Sequence, residues 1–211
     1  MDGADLKASL AHYRDLAPRY DFFTRRIDGI RERAIEALGL RRGETVVDAG
    51  CGTGWCVLRL LDRVGSEGRV LGFDPSPHML GVARERLNGH AAHVELLDAS
   101  AQAVRMPGTT NAILFSYTHD LIRSREALDN VLGQVKSGTR VVATGTKLLT
   151  PWVFPANWLV RYRHRDYITN TESMDAPWSL LAGYLEDFAL IAAPMRQHYI
   201  AAGRVRGSLS P

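Results

Sequence analysis

Cysteine and lysine are the scarce residues of this 211-residue chain. Its two cysteines, Cys51 and Cys56, stand close together and outside CxxC spacing, which excludes a disulfide framework and leaves both as expected reduced packing residues. Only Lys7, Lys136 and Lys147 accompany the arginines among 26 basic residues. The arginines are spread along the chain with no RNP-like or helix-turn-helix signature beside them, so a net charge of +3 reads as the codon bias of a GC-rich genome and no nucleic-acid partner is expected. No apolar run approaches a membrane span, and the start, "MDGADLKASLAHYRD", is interrupted by charges throughout, unlike a secretory signal; a cytoplasmic protein is the expectation. Charge blocks, low-complexity runs, internal repeats and linkers are also missing, which points to a single domain over 1–211. The seven histidines form no HxxxH or His/Cys ligand cluster, so no metal is expected.

What the chain does have is 45% hydrophobic residues, enough for a sizeable core, arranged in a clear rhythm. Leu6, Leu10, Tyr13 and Leu16, then Ile27, Ile30, Ala34, Ile35 and Leu38 before Gly39, recur at helical spacing and predict N-terminal helices over 1–40. Five strand-like runs follow, "ETVVDAG", "GRVLGFD", "HVELLDA", "NAILFSY" and "TRVVATG". Helical segments such as "WCVLRLLDRVG", "SPHMLGVARERL" and "SREALDNVLGQV" separate them. Strand alternating with helix implies right-handed crossovers and a mainly parallel sheet covered on both faces. After an aromatic and basic insert at 148–175, "FALIAAPM" and "HYIAAGRV" follow each other almost directly and must pair antiparallel or lie apart. The expected fold is α/β, a doubly wound, mainly parallel seven-stranded sheet with an antiparallel hairpin at one edge.

Ligands of open α/β sheets bind beyond the carboxyl ends of the strands. There the stretch "TVVDAGCGTGWC" puts Gly50, Gly52 and Gly54 at alternate positions, in a GxGxG spacing rather than the GxGxxG of a dinucleotide site. Asp48 stands just before this turn; Asp74 ends the next strand, where a ribose-binding carboxylate belongs, and Asp98 ends the one after. Three carboxylates around a glycine turn repel a pyrophosphate. They suit a cofactor with a cationic amino group, a sulfonium, a ribose diol and an adenine amine.

These motifs resemble those of the class I S-adenosylmethionine-dependent methyltransferases. "VVDAGCGTG" looks like the superfamily's first motif, "GFDPSPHML" like its ribose-binding strand end, and "LLDAS" like its adenine-side acid. The resemblance covers roughly Tyr13 to Gly203 and implies a cofactor, S-adenosyl-L-methionine, leaving as S-adenosyl-L-homocysteine. It implies that Ala49, Gly50, Cys51, Gly52 and Gly54 pass beneath the methionyl part while Asp48 orients the turn and the amino group. Asp74, beside Pro75, would take the ribose hydroxyls; Met79 would lie on one adenine face, and Asp98 with Ala99 would read the amino edge. Ser116 joins the cofactor side.

"HYRDLAPRYDFF" is similar to the entry segment of the ubiquinone/menaquinone and phospholipid N-methyltransferase branch, in which Tyr13 and Tyr20 would close over the cofactor. Tyr20 and His119, in "FSYTHDLI" after the fourth strand, are the expected catalytic residues, His119 as a proton acceptor near neutrality. Core packing is the alternative for Tyr13, and a satisfied loop histidine for His119. Asp120 is expected to cap the following helix. In the insert, Trp152, Phe154, Trp158 and Tyr162 beside Arg161, Arg163 and Arg165 are expected to form a lid or acceptor pocket rather than a surface for acidic lipid headgroups. The expected acceptor is small or amphipathic, amine or lipid-like ahead of a quinol or phenol, although "VVATGTK" lacks an acid that lipid-methylating relatives often carry. A non-catalytic cofactor-binding protein and an NAD-linked reductase stand as the alternatives.

Overall fold

The computed structural model describes residues 14, 16–106, 109–147, 175–191 and 197–207. Tyr13, the expected first helix up to Leu10, and the insert tryptophans Trp152 and Trp158 lie outside them. The chain enters through α1 (Tyr20–Thr24) and α2 (Asp28–Ala37), linked by 3-10 turns, and Gly39 stops α2 with φ 56°. Then come β1 (Thr45–Ala49), α3 (Trp55–Val64), β2 (Arg69–Asp74), α4 (Pro77–Arg86), β3 (Val94–Asp98) and β4 (Ala112–Ser116). A short α5 (His119–Ile122), α6 (Arg125–Gly133), β5 (Arg140–Thr146), α7 (Ser179–Ala182), β6 (Leu185–Ile191) and β7 (His198–Val205) complete the described chain.

The seven strands form one sheet in the order β3-β2-β1-β4-β5-β7-β6. The first five run parallel; β7 pairs antiparallel with both β5 and β6, which is the edge hairpin that the sequence predicts. Because β1 lies between β2 and β4, strand order reverses at its carboxyl end, the place where open α/β sheets bind ligands.

Each face carries its own core. Alternate residues of β1 divide between them: Val47 and Ala49 pack under Leu128, Val131 and Leu132 of α6. Val46 packs under Ile35 of α2 and Val57, Leu60 and Val64 of α3. Period two in the strand thus meets period 3.6 in the helices, and each fully buried aliphatic side chain contributes about 1.5–3 kcal/mol. Asp48 shares the parity of Val46, so its carboxylate is directed to the face that α2 and α3 cover.

Capping departs from the sequence expectation at one place. Asp120 lies inside the first turn of α5, whose N-cap is Thr118, and α6 is capped by Ser124, whose hydroxyl accepts from the N–H of Ala127. Ser124 sits immediately before the first helical residue, where a cap must be; Asp120 does not.

Candidate functional site

Past Ala49 the chain makes a tight loop. The N–H groups of Gly50 and Cys51 both donate to the carbonyl of Phe73, and Gly54 N–H returns to the carbonyl of Cys51 at 2.9 Å. Gly50, Gly52 and Gly54 have φ of 73°, 51° and 73°, the left-handed region in which side chains are strained. What excludes a side chain differs among them. A Cβ on Gly50 would lie 2.4 Å from Thr118 Cγ2, and one on Gly54 3.1 Å from Ala83 of α4, so these two glycines let protein approach protein. Of the three, only Gly52 faces open space, where a ligand could approach its backbone.

Asp74 ties this loop to the next strand. One carboxylate oxygen accepts from Gly52 N–H and the other from Ser76 N–H, each at 2.9 Å, while the Ser76 hydroxyl caps α4 at Met79 N–H. Burial pushes its carboxyl up to about 6 against those two hydrogen bonds. Asp98 lies beside it as its register partner on β3, and is exposed. Pro75 and Ala99 flank the two acids, half-buried, whereas Met79 is fully buried. Each acid still has lone pairs for ligand hydroxyl or amine protons.

Asp48 is in a different condition. It is buried, neither carboxylate oxygen has a hydrogen-bond partner, and burial raises its pKa to about 7 although the cation of Arg31 draws it down. Arg31 is itself buried, with an unpartnered Nε. Its guanidinium lies 5.3 Å from the ring centroid of Trp55 and 5.6 Å from that of Tyr117, and 3.5 Å from Asp28. An orphaned carboxylate and an incompletely paired guanidinium in one interior region match the two ends of an α-amino acid zwitterion, since each unmade hydrogen bond costs about 1–3 kcal/mol until a ligand supplies it.

The N-terminal segment is fastened to the same loop. Thr53 donates its hydroxyl to Asp21 at 2.8 Å, and Arg86 of α4 bonds both the Asp21 carboxylate and, at 2.8 Å, the Thr53 carbonyl. Tyr20, one residue earlier, thereby stands near Tyr117, whose ionisation it opposes.

At the end of β4, beyond half-buried Ser116, Tyr117 adopts φ 61°, an uncommon conformation for a tyrosine, which costs of order 1–3 kcal/mol. Its hydroxyl lies 2.9 Å from His198 Nδ1 at the start of β7. His119 follows β4 as the sequence suggests, and its contacts are those of the satisfied histidine that stood as the alternative to a proton acceptor. It is buried, its Nε2 accepts the N–H of Thr146 at 3.2 Å, and its ring presses on Gly145, where a Cβ would meet Cε1 at 2.5 Å. That hydrogen bond occupies the nitrogen a general base would use and ties α5 to the end of β5. A separate hollow of about 590 Å³ opens at the amino ends of the strands, bordered by Thr45, Arg69, His93 and Glu95, away from all of these groups.

Residues 46–140 match the family profile of a methyltransferase domain. Over 195 residues, 88% of this chain and 74% of the relative, the sequence is 27% identical to the ubiquinone/menaquinone biosynthesis C-methyltransferase UbiE of Azotobacter vinelandii. These similarities, with the seven-stranded fold, support a methyltransferase of the class I S-adenosylmethionine-dependent superfamily. UbiE of Enterobacter sp. (strain 638) is 32% identical over 148 residues, 66% of this chain, which spans 58% of that relative, under two thirds of its length. In fold, the methyltransferase is like the crystal structure of a SAM-dependent methyltransferase from Aquifex aeolicus, with a TM-score of 0.57 at 19% identity over 83% of this chain and 89% of the other.

The residues present fit S-adenosylmethionine as a cofactor. The unpartnered oxygens of Asp48 suit an ammonium, Arg31 a carboxylate, and the open side of Gly52 gives the chain between them room. Arg31, Tyr117 and His198 were not legible as site residues from motifs. One signal for Arg31 was present: it falls on the apolar stripe of α2, four residues from both Ile27 and Ile35, where a charge needs a partner.

Proposed function

We propose that this methyltransferase acts on an amphipathic acceptor bearing a ring hydroxyl, of the quinol or phenol class, and methylates a ring carbon. The observation that carries the reading is the Tyr117 hydroxyl paired with His198 Nδ1 at the carboxyl end of β4, beside Arg31 and Tyr20. The names of the UbiE relatives, C-methyltransferases of ubiquinone and menaquinone biosynthesis, support it over the amine or lipid-like acceptor expected from the sequence, for which they offer no support.

The cofactor supplies an electrophilic methyl group on a sulfonium. Asp48 and Arg31 would hold its amino-acid end, Asp74 with Pro75 its ribose, and Asp98 with Ala99 its adenine edge, with Met79 also on the adenine side. Ala49, Gly50, Cys51, Gly52, Gly54 and Ser116 shape the floor, and Tyr20 covers the reacting end. Tyr117 takes the acceptor hydroxyl proton as its own proton passes to His198 Nδ1. The resulting ring oxyanion makes its ortho carbon nucleophilic. Bonding of that carbon to the methyl group would break the carbon–sulfur bond and leave a neutral thioether; loss of the ring hydrogen as a proton and return of the His198 proton to the oxygen would restore the aromatic hydroxyl, with one proton released overall. Burial holds Tyr117 well above its ordinary ionisation range, so it relays a proton rather than standing ionised. Alignment of the attacking carbon with the methyl group supplies much of the remaining rate.

Incubating the protein with methyl-labelled cofactor and, separately, a short-chain alkyl 1,4-benzenediol and phosphatidylethanolamine tests the reading. Ring-methylated benzenediol is expected by mass spectrometry. Tyr117→Phe should lower kcat by about 10²–10⁴ with S-adenosylhomocysteine affinity unchanged. Methylation of the amine alone overturns the acceptor class.

A further inference from the structure

The described residues expose four large hydrophobic side chains, Phe22, Phe23, Leu190 and Ile191. Two are adjacent on α1: Phe22 is 66% exposed and Phe23 55%, their rings edge to face at 5.6 Å. Single exposed apolar residues are ordinary on protein surfaces, but neighbouring phenylalanines set outward are a feature to explain.

Their surroundings give the chemistry of the partner. The Arg25 guanidinium lies 5.2 Å from the Phe22 ring centroid, and Arg14, Arg19 and Arg26 are exposed in the same short stretch. The two described acids of that stretch are turned away, Asp21 to Thr53 and Arg86, Asp28 to Arg31. The outward surface is therefore aromatic and cationic. Leu190 and Ile191 are the last two residues of β6, which runs in the direction of β5 and so ends at the same end of the sheet as the glycine loop. Because Asp21 anchors α1 to Thr53 in that loop, Phe22 and Phe23 sit beside the glycine loop.

We propose that the α1 face docks on an anionic lipid bilayer, with Phe22 and Phe23 entering the interfacial layer and Arg19, Arg25 and Arg26 meeting the headgroups. Aromatic rings prefer the bilayer interface, and arginines near it are drawn by the negative surface potential. Docking would turn that end of the sheet toward the membrane, where an amphipathic molecule resides. The inference goes beyond the acceptor reading and is tested without any acceptor.

The experiment is co-sedimentation with vesicles of phosphatidylcholine alone and of phosphatidylcholine mixed with phosphatidylglycerol. Binding is expected only to the anionic vesicles and should weaken as salt is raised. The double variant Phe22→Ser, Phe23→Ser should bind at least about tenfold more weakly, and glutamine at Arg19, Arg25 or Arg26 about fivefold more weakly each. Calorimetry with S-adenosylhomocysteine, unchanged in these variants, establishes that they remain folded. No sedimentation at low salt, or sedimentation undiminished in the double variant, overturns the proposal. So does self-association that the double variant abolishes while vesicle binding is absent, because α1 would then face a second copy of the chain.

Discussion

Replacing Asp48 by asparagine should stabilise the ligand-free protein above neutrality while weakening its hold on the cofactor. Burial raises this carboxyl from 3.8 to about 7, which at about 1.4 kcal/mol for each pH unit makes the ionised form about 4 kcal/mol more costly in the folded than in the unfolded state. A raised folded-state pKa means that the folded protein keeps a proton which the unfolded chain has released. The associated stability is complete below about pH 4 and is lost as pH rises through about 7. An amide in the same place carries no charge but leaves its polar atoms unpartnered, at a cost of about 1–3 kcal/mol. At pH 8 the variant should thus gain about 1–3 kcal/mol, several degrees of melting temperature for a chain of this size. At pH 5 the two proteins should melt nearly alike, since the wild type has lost only about 1.6 kcal/mol between pH 3.8 and 5, close to the cost of the unpartnered amide. Arg31 keeps Asp28 at 3.5 Å in either case, and Asp74, raised in the same direction, is common to both. Scanning calorimetry between pH 5 and 8, with and without S-adenosylhomocysteine, reads the result. The cofactor amino group should partly offset the wild-type loss and do far less for the variant. A wild-type melting temperature flat across that range, or a variant less stable at pH 8, would refute the reasoning.

Three further outcomes follow from other parts of the site. Asp74→Ala removes a charged acceptor and the tie to Gly52, and should weaken S-adenosylhomocysteine by about 10–100-fold in titration calorimetry. Gly54→Ala combines φ 73° with a 3.1 Å approach to Ala83 and should cost more than about 1 kcal/mol in urea unfolding. His119→Ala should lower the melting temperature, by the loss of about 1–3 kcal/mol, and leave the pH profile of kcat in place, because the Thr146 N–H loses its acceptor while no proton relay is touched.

Most of the fold was legible because each strand and helix announces itself locally. "TVVDA" alternates its burial between two cores, and α3 begins at Trp55 where the glycines end. The carboxylates at the strand ends were legible for the same reason: a motif and a strand boundary fix where Asp48, Asp74 and Asp98 must lie. Groups that depend on contacts distant in sequence were not. Tyr117 meets His198 across 81 residues, through a backbone conformation that tyrosine seldom adopts and that no sequence pattern announces. His119 was placed correctly after β4, but its nitrogen is taken by β5, which motif reading cannot see.

The tie among Thr53, Asp21 and Arg86 has a kinetic consequence. On the proposed reading, Thr53 belongs to the loop that would carry the cofactor, Asp21 to the segment that would cover it, and Arg86 to the helix that Ser76 starts beside Asp74. The cover therefore cannot lift without loosening the floor, and a cofactor pressing on the floor tightens the cover. Entry and exit become one gated event shared by spent cofactor and finished product, so the slow part of each cycle would be the unlatching of this trio rather than the bond exchange at the methyl group.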